Sequence, residues 1–437
     1  MNRVSHILIA TLWLPVVACE IGQVGEDDPN QGQDAGGSQA RDSGSEARDA
    51  GQSKDLDAGR DAGGRVDSGG EQDAGGTVDA GGTVDAGGTV DAGGTADAGG
   101  TVDAGGAVDA GSPSSPNWPC DIYAAANTPC VAAHSTVRAL YGAYGGPLYQ
   151  VRKSDGSTKD IPVQSAGGFV DISVQDSFCN GSTCTISILY DQSPNKNDLK
   201  KAPEGATWLP KGGNESSATK GKITVSGHTA YGIYVTADNV AYRNNATKGV
   251  ATGNQAESMY MVVDGKRFSS NCCFDYGNAE TNSKDNGNGT MEALYWGTDT
   301  TWGGKGDGNG PWLAADLENG MFKRDAGGWQ TTITAPNAKS IIANFASGFL
   351  KGPDADTFAL KGGDAQSGKL VTTWDGKRPS PGYFPKKLEG AIILGTGGDG
   401  SNGGTGTFYE GAMTMGNPPD AVDDAIQANI VAAGYGK

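Results

Sequence analysis

The chain has 437 residues, a formal charge of −18, 72 glycines and three histidines. The charge is concentrated: residues 20–117 hold 20 acids against 5 bases, which leaves 31 acids and 27 bases for residues 118–437. That near-neutral remainder argues against a nucleic-acid surface, and His6, His134 and His228 make neither a zinc spacing nor a nucleophile–histidine system.

Residues 1–18 read as a signal peptide: Arg3, an apolar run over 7–17, then Val16-Val17-Ala18 before Cys19. The run is too short to span a bilayer. Its last four residues resemble a bacterial lipobox, which would make Cys19 the lipidated N-terminus. With Glu20 following, lipoproteins of this kind are exported to the outer membrane, facing the cell surface or the periplasm. Residues 19–117 are Asp, Ala and Gly with little else, and Thr77-Val-Asp-Ala-Gly-Gly82 repeats every six residues to about Gly106. A repeat with at most one valine per turn cannot offset its conformational entropy, so the segment reads as a disordered linker. Its root-mean-square reach is on the order of 50–60 Å. Residues 118–437 form the folded domain.

Within that domain, 119–140 reads as a loop and then a short helix, with Val131, Ala132, Val137 and Leu140 apolar. Residues 148–153 and 158–163 flank Asp155-Gly156 as a hairpin. Strands follow over 185–190, 223–225, 231–235, 258–263, 291–296, 340–345, 357–360, 370–374, 391–394 and 406–413. An amphipathic helix over 423–435, with Ile426, Ile430 and Val431, closes the chain. Many short strands separated by Gly and Asn turns predict an all-β sandwich.

Six cysteines remain once Cys19 is set aside: Cys120, Cys130, Cys179, Cys184, Cys272 and Cys273. An even number in an exported chain implies disulfides, and six allow fifteen pairings. Local pairing of 120 with 130, 179 with 184 and 272 with 273 is the simplest arrangement. The alternative is that the adjacent pair bonds elsewhere or stays reduced.

Two glycine motifs fail on context. Gly395-Thr-Gly-Gly-Asp-Gly400 fits a dinucleotide fingerprint but leads into another strand rather than a helix. Residues 363–369 fit most of a phosphate loop, but Leu370 stands where a magnesium-binding hydroxyl belongs. No cofactor and no metal are expected, and carboxylates remain as the chemistry. Over 312–318, Trp312, Ala314, Asp316 and Glu318 alternate with Leu313, Ala315 and Leu317, so a strand would place both acids on one face before a turn at Asn319-Gly320. Like charges at that spacing push at least one pKa up. Asp399, among glycines at 395, 397, 398, 400, 403 and 404, would project a third acid from an open loop. Glycoside hydrolysis needs two such acids flanking the scissile bond.

Residues 119–435 resemble, nearly end to end, the catalytic domain of glycoside hydrolase family 54, the α-L-arabinofuranosidase B family. The matching runs are Pro119-Cys-Asp-Ile-Tyr, Thr128-Pro-Cys-Val-Ala-Ala-His-Ser-Thr136, Tyr190-Asp-Gln-Ser193, Tyr242-Arg-Asn-Asn245, Cys272-Cys-Phe-Asp-Tyr-Gly-Asn-Ala-Glu-Thr281, Asp316-Leu-Glu-Asn319, Glu389-Gly-Ala-Ile-Ile-Leu-Gly395 and Gly406-Thr-Phe-Tyr-Glu-Gly411. The resemblance implies a two-sheet sandwich of the lectin/glucanase jelly-roll type. It also implies a retaining, exo-acting enzyme that releases terminal arabinofuranosyl groups from arabinan or arabinoxylan of plant cell walls. It makes Glu318 the nucleophile and Asp399 the acid/base. Asp316, Asn319, Gly320 and Gly398 fall at the sugar-binding positions, and Trp302 with a Cys272–Cys273 disulfide falls where the family walls the sugar. It supports the pairings 120–130 and 179–184, and it gives Glu280 a structural role. Gly320 departs from the asparagine the family usually carries there. The arabinose-binding β-trefoil usual after this domain is not expected before the chain ends at Lys437. Contact with a membrane is expected through the lipid anchor alone. The alternative reading is a non-catalytic, arabinose-binding, lectin-like surface lipoprotein.

Overall fold

The computed structural model describes residues 118–302, 305–321 and 334–437. The expected signal peptide, lipobox cysteine and linker lie outside the described residues.

Two antiparallel sheets pack face to face. Among the described residues the first runs in the order Cys130–Ser135, Gly406–Met415, Glu257–Asp264, Phe345–Gly352, Thr357–Asp364 and Ser367–Lys377, with Ile233–Val235 also paired to Gly406–Met415. The second runs Trp312–Asp316, Glu292–Gly297, Asp275–Ala279, Ala391–Leu394, Tyr242–Asn244, Leu199–Lys201, Cys184–Leu189, Pro147–Lys153 and Thr158–Pro162, with Ser216–Ser217 attached to Cys184–Leu189. Side chains of one sheet enter gaps in the other. Leu313 fills the place a Cβ on Gly348 would occupy, 2.4 Å from its Cδ1. Tyr276 of one sheet and Phe408 of the other meet with ring centroids 5.0 Å apart and planes tilted by 42°. Interiors packed this closely have no room for added side-chain volume.

The start of the domain differs from its sequence reading. The helix comes first, at Pro119–Ala125, with Pro119 at the helix start where its missing N–H costs nothing. Val131 and Ala132 lie on the fully buried strand Cys130–Ser135 instead. A disulfide joins Cys120 in that helix to Cys130 in that strand, and another joins Cys179 to Cys184. Ile172–Cys179 is a helix that the pattern did not suggest, its Asp171 side chain capping the Ser173 amide. The expected strand at 340–345 lies one element too early: the strand is Phe345–Gly352. Asp275–Ala279 is a further strand, fully buried. The hairpin around Asp155-Gly156 and the strand Ala391–Leu394 stand where the sequence put them. The closing helix is Asp420–Ala433, with Ile426 and Ile430 buried.

Candidate active site

The last strand of the larger sheet, Trp312–Asp316, stops two residues earlier than its alternation suggested. Leu317 donates its amide to the Gly320 carbonyl at 3.0 Å, closing a tight turn. Glu318 and Asn319 sit in it with φ of +63° and +56°. Side chains other than glycine rarely adopt that backbone, and such strain concentrates at functional positions. Glu318 is therefore presented by a turn rather than by the strand. Its amide donates to Asp316 Oδ1 at 3.1 Å, so one acid orients the backbone of the other.

A pocket of about 470 Å³, its open mouth included, lies at this end of the sheet. Asp316, Glu318, Asn319 and Gly320 line one side. Cys272, Cys273 and Trp302 form a wall, and Gly398 with Asp399 comes from the loop after Ala391–Leu394. Cys272 and Cys273 are bonded to each other. Their sulfurs lie 3.9 and 3.7 Å from Asp316 Oδ2. Cys272, Cys273, Asp275 and Asp316 bring possible ligand atoms within 4.8 Å of one another. With both sulfurs in a disulfide, however, the group offers a metal no thiolate.

The carboxyls form a linked set. Asp275, on the neighbouring strand system, is buried and held well above the usual carboxylate range by that burial and by Asp316. Asp316 is pushed up to about 7, chiefly by burial. Glu318, 6 % exposed, is pushed up by burial and then by the charges of Glu280, Asp316 and Asp399. Glu280 is fully buried, raised by burial, and interacts directly with Glu318. Thr290 donates its hydroxyl to Glu280 Oε1 at 2.5 Å. Glu280 Oε2 occupies the place a side chain at 398 would need, 1.8 Å from an added Cβ. A side chain at 398, in the loop that carries Asp399, would therefore displace the Glu280 carboxyl.

Asp399 is half-buried, and the Ser401 amide donates to its Oδ1 at 2.9 Å. Arg243 ties the two halves together. Its guanidinium donates to the Gly398 carbonyl at 2.6 Å and to the Glu280 carbonyl. Burial lowers its pKa to about 10, against the pull of Glu280, Asp399 and Glu318. At residue 320 the glycine leaves room for the Tyr383 hydroxyl, which donates to the Asn319 carbonyl at 2.6 Å.

Sequence reasoning passed over Trp208, Gly397 and Ser401, which also line the pocket, and Asp275 and Arg243, which support it. Asp275 and Arg243 fall inside the runs that carry the resemblance. Trp208 lies in an irregular loop that no periodicity marks.

Comparison with known proteins follows the geometry. Residues 119–436 match a family model described as "Alpha-L-arabinofuranosidase B, catalytic". The chain is 52 % identical over 322 residues to the alpha-L-arabinofuranosidase B of Aspergillus oryzae, covering 72 % of this chain and 62 % of that protein. It is 51 % identical over 322 residues to an "Arabinofuranosidase/B-xylosidase" of Trichoderma koningii, covering 72 % of this chain and 63 % of the relative. The chain thus spans about three fifths of the length of these curated relatives. A solved GH54 α-L-arabinofuranosidase soaked with a cyclic sulfate inhibitor superposes with a TM-score of 0.69 at 48 % identity, over 73 % of this chain and 66 % of that one. An arabinofuranosidase complexed with arabinofuranosyl-α-1,2-xylobiose gives the same TM-score and identity, over 73 % and 65 %. By the span of the family match and the identity to its relatives, this chain belongs to the α-L-arabinofuranosidase B catalytic family.

Proposed function

We propose that the domain is a retaining, exo-acting α-L-arabinofuranosidase. The observation that carries this is the meeting of Glu318 and Asp399, 81 residues apart in sequence, in one pocket beside a disulfide and a tryptophan. Glu318 attacks the anomeric carbon while Asp399 protonates the departing oxygen, giving a glycosyl–enzyme ester. Asp399 then takes a proton from water, which attacks the same carbon and releases arabinose with its configuration retained. Half-burial suits Asp399 to exchange protons with solvent between the steps. Glu318 must be ionised to attack. Glu280, buried beside it, is the carboxyl that interacts with it directly. Asp316 and Asn319 hold the furanose hydroxyls, Gly320 and Gly398 line the pocket around the sugar, and the Cys272–Cys273 disulfide and Trp302 cover its flat faces.

The substrate reading is a terminal arabinofuranosyl group on arabinan or arabinoxylan, in keeping with the oligosaccharide held by the solved relative. The relative from Trichoderma koningii adds a second reading, cleavage of β-xylosides in the same pocket. A panel of aryl α-L-arabinofuranoside, β-D-xyloside and galactofuranoside separates these, and binding without turnover on any of them would mark a lectin. Glu318→Gln is expected to reduce turnover of the aryl arabinofuranoside to background; a rate near that of the unaltered protein would remove Glu318 as nucleophile.

Three disulfides suit a domain that folds in an oxidising compartment. We propose further that residues 1–18 are cleaved, that Cys19 is lipidated, and that residues 19–117 tether the domain 118–437 to a bacterial outer membrane. Incorporation of labelled fatty acid in the native host, lost in Cys19→Ser, tests the anchor.

A further inference from the structure

The loop 202–213 carries a tryptophan in an unusual position. Ala202, Ala206 and Leu209 form a small buried cluster with Ala241, so the loop is folded onto the domain. Its ends are drawn together where Gly213 donates its amide to the Ala202 carbonyl at 2.8 Å. Trp208, between buried Ala206 and Leu209, is nevertheless 66 % exposed while lining the pocket. Its backbone amide donates to the carbonyl of Asp399 at 3.3 Å, and the preceding amide, Thr207, donates to the Ser283 carbonyl at 3.4 Å. The backbone is therefore fixed beside the proposed acid/base while the indole is left in water.

An acid that protonates the departing oxygen stands on the leaving-group side of the bond. A residue hydrogen-bonded to that acid's backbone stands on the same side. Trp302, by contrast, lies beside the turn that carries Glu318: Met321, just beyond that turn, donates its amide to the Trp302 carbonyl at 3.0 Å. The two tryptophans thus approach the pocket from different directions. A tryptophan face is a large, rigid, apolar surface held at little entropic cost, suited to the C–H face of a pyranose.

We infer that Trp208 is a platform for the first sugar of the leaving group, the pyranose that bears the arabinofuranosyl substituent. The inference rests on the arabinofuranosidase reading and adds a specificity-determining residue to it. Its contribution is realised only when the leaving group is itself a sugar ring.

The test compares two substrates, methyl α-L-arabinofuranoside and arabinofuranosyl-α-1,2-xylobiose, on the unaltered protein, Trp208→Ala and Trp208→Phe. Trp208→Ala is expected to lower kcat/KM on the oligosaccharide about tenfold more than on the methyl glycoside, mainly through KM, as loss of one aromatic stacking face implies. Trp208→Phe should recover most of the difference. Equal losses on both substrates would mean that the loop merely supports Asp399, and no loss on either would mean that the indole is idle; both results overturn the platform. If the unaltered protein cleaves neither substrate, the hydrolase reading falls first, and that result is distinct from the other two.

Discussion

Two groups of buried acids in this domain are treated in opposite ways. Behind the pocket, Glu292 meets Arg378 and Lys386, all with side chains out of contact with water. Lys386 Nζ lies 3.2 Å from Glu292 Oε2 and also donates to the Gly352 carbonyl at 2.8 Å. Glu257, beside them, accepts from the Asn278 amide at 2.9 Å. At the pocket, Asp275, Glu280, Asp316 and Glu318 are equally withdrawn from solvent. The cation nearest them, Arg243, spends its guanidinium on the carbonyls of Gly398 and Glu280 and on Asn245 Oδ1, not on any carboxylate. At Glu292 two cations answer the charge directly, while Glu257 beside it accepts only from Asn278 and is raised by burial and by Glu292. In the second group, Arg243 acts on the carboxyls only at a distance and pairs with none of them, so protons are shared among the carboxyls, which is the condition acid–base chemistry requires.

That contrast can be broken most sharply at Asp399. Asp399→Asn is expected to cost about 10²–10⁴-fold in kcat/KM on an oligosaccharide, whose leaving group needs a proton. It should cost much less on a 4-nitrophenyl arabinofuranoside, whose leaving group does not. Steady-state kinetics on the pair decides, and equal losses would argue against an acid/base role.

Stability offers the next largest effect. Glu292→Ala leaves Arg378 and Lys386 buried without a counter-charge and should destabilise the domain by about 3–5 kcal/mol. Glu318→Gln, which removes a buried acid with no cation paired to it among the described residues, should leave stability unchanged or raise it. Urea denaturation of both variants measures the difference; a Glu292→Ala loss no greater than that of Glu318→Gln would erase the distinction between the two groups.

The smallest effect is in pH dependence. The Glu280 carboxyl is raised in the folded state, so the fold binds its proton more tightly than the unfolded chain does. Its contribution is therefore most favourable below the ordinary carboxylate range and is lost as pH rises through that range and beyond. Between pH 4 and 7 Glu280→Gln, which cannot titrate, should lose less stability than the unaltered protein. Parallel denaturation curves at the two pH values provide the check.

What the sequence disclosed depended on whether local pattern and tertiary demand agreed. The run Ala391–Leu394 is apolar and β-branched, and it is a buried strand. The hairpin at Asp155-Gly156 has turn residues where the chain reverses, with Gly156 at φ +86°. The strand Phe345–Gly352 was misplaced because Gly348 and Gly352 look like breakers. They are there because Leu313 and the Glu292 carboxylate occupy the space that side chains would take. Asp275–Ala279 was missed for a related reason: Asp275, Gly277 and Asn278 are poor strand formers, kept for the site and for the Asn278 bonds to Glu257 and Gly390. The acids of the site were legible as residue types, and the resemblance assigned roles to them. The left-handed turn that presents Glu318 was not, because alternation alone continues a strand through it.

Arg243 has a consequence for timing. By gripping the Glu280 carbonyl and the Gly398 carbonyl next to Asp399, it fixes the Asp399 loop against buried Glu280 before any sugar arrives. The fold itself thereby sets Asp399 relative to Glu280. The entropy of aligning them is spent once, when the chain folds, rather than at every encounter with a substrate.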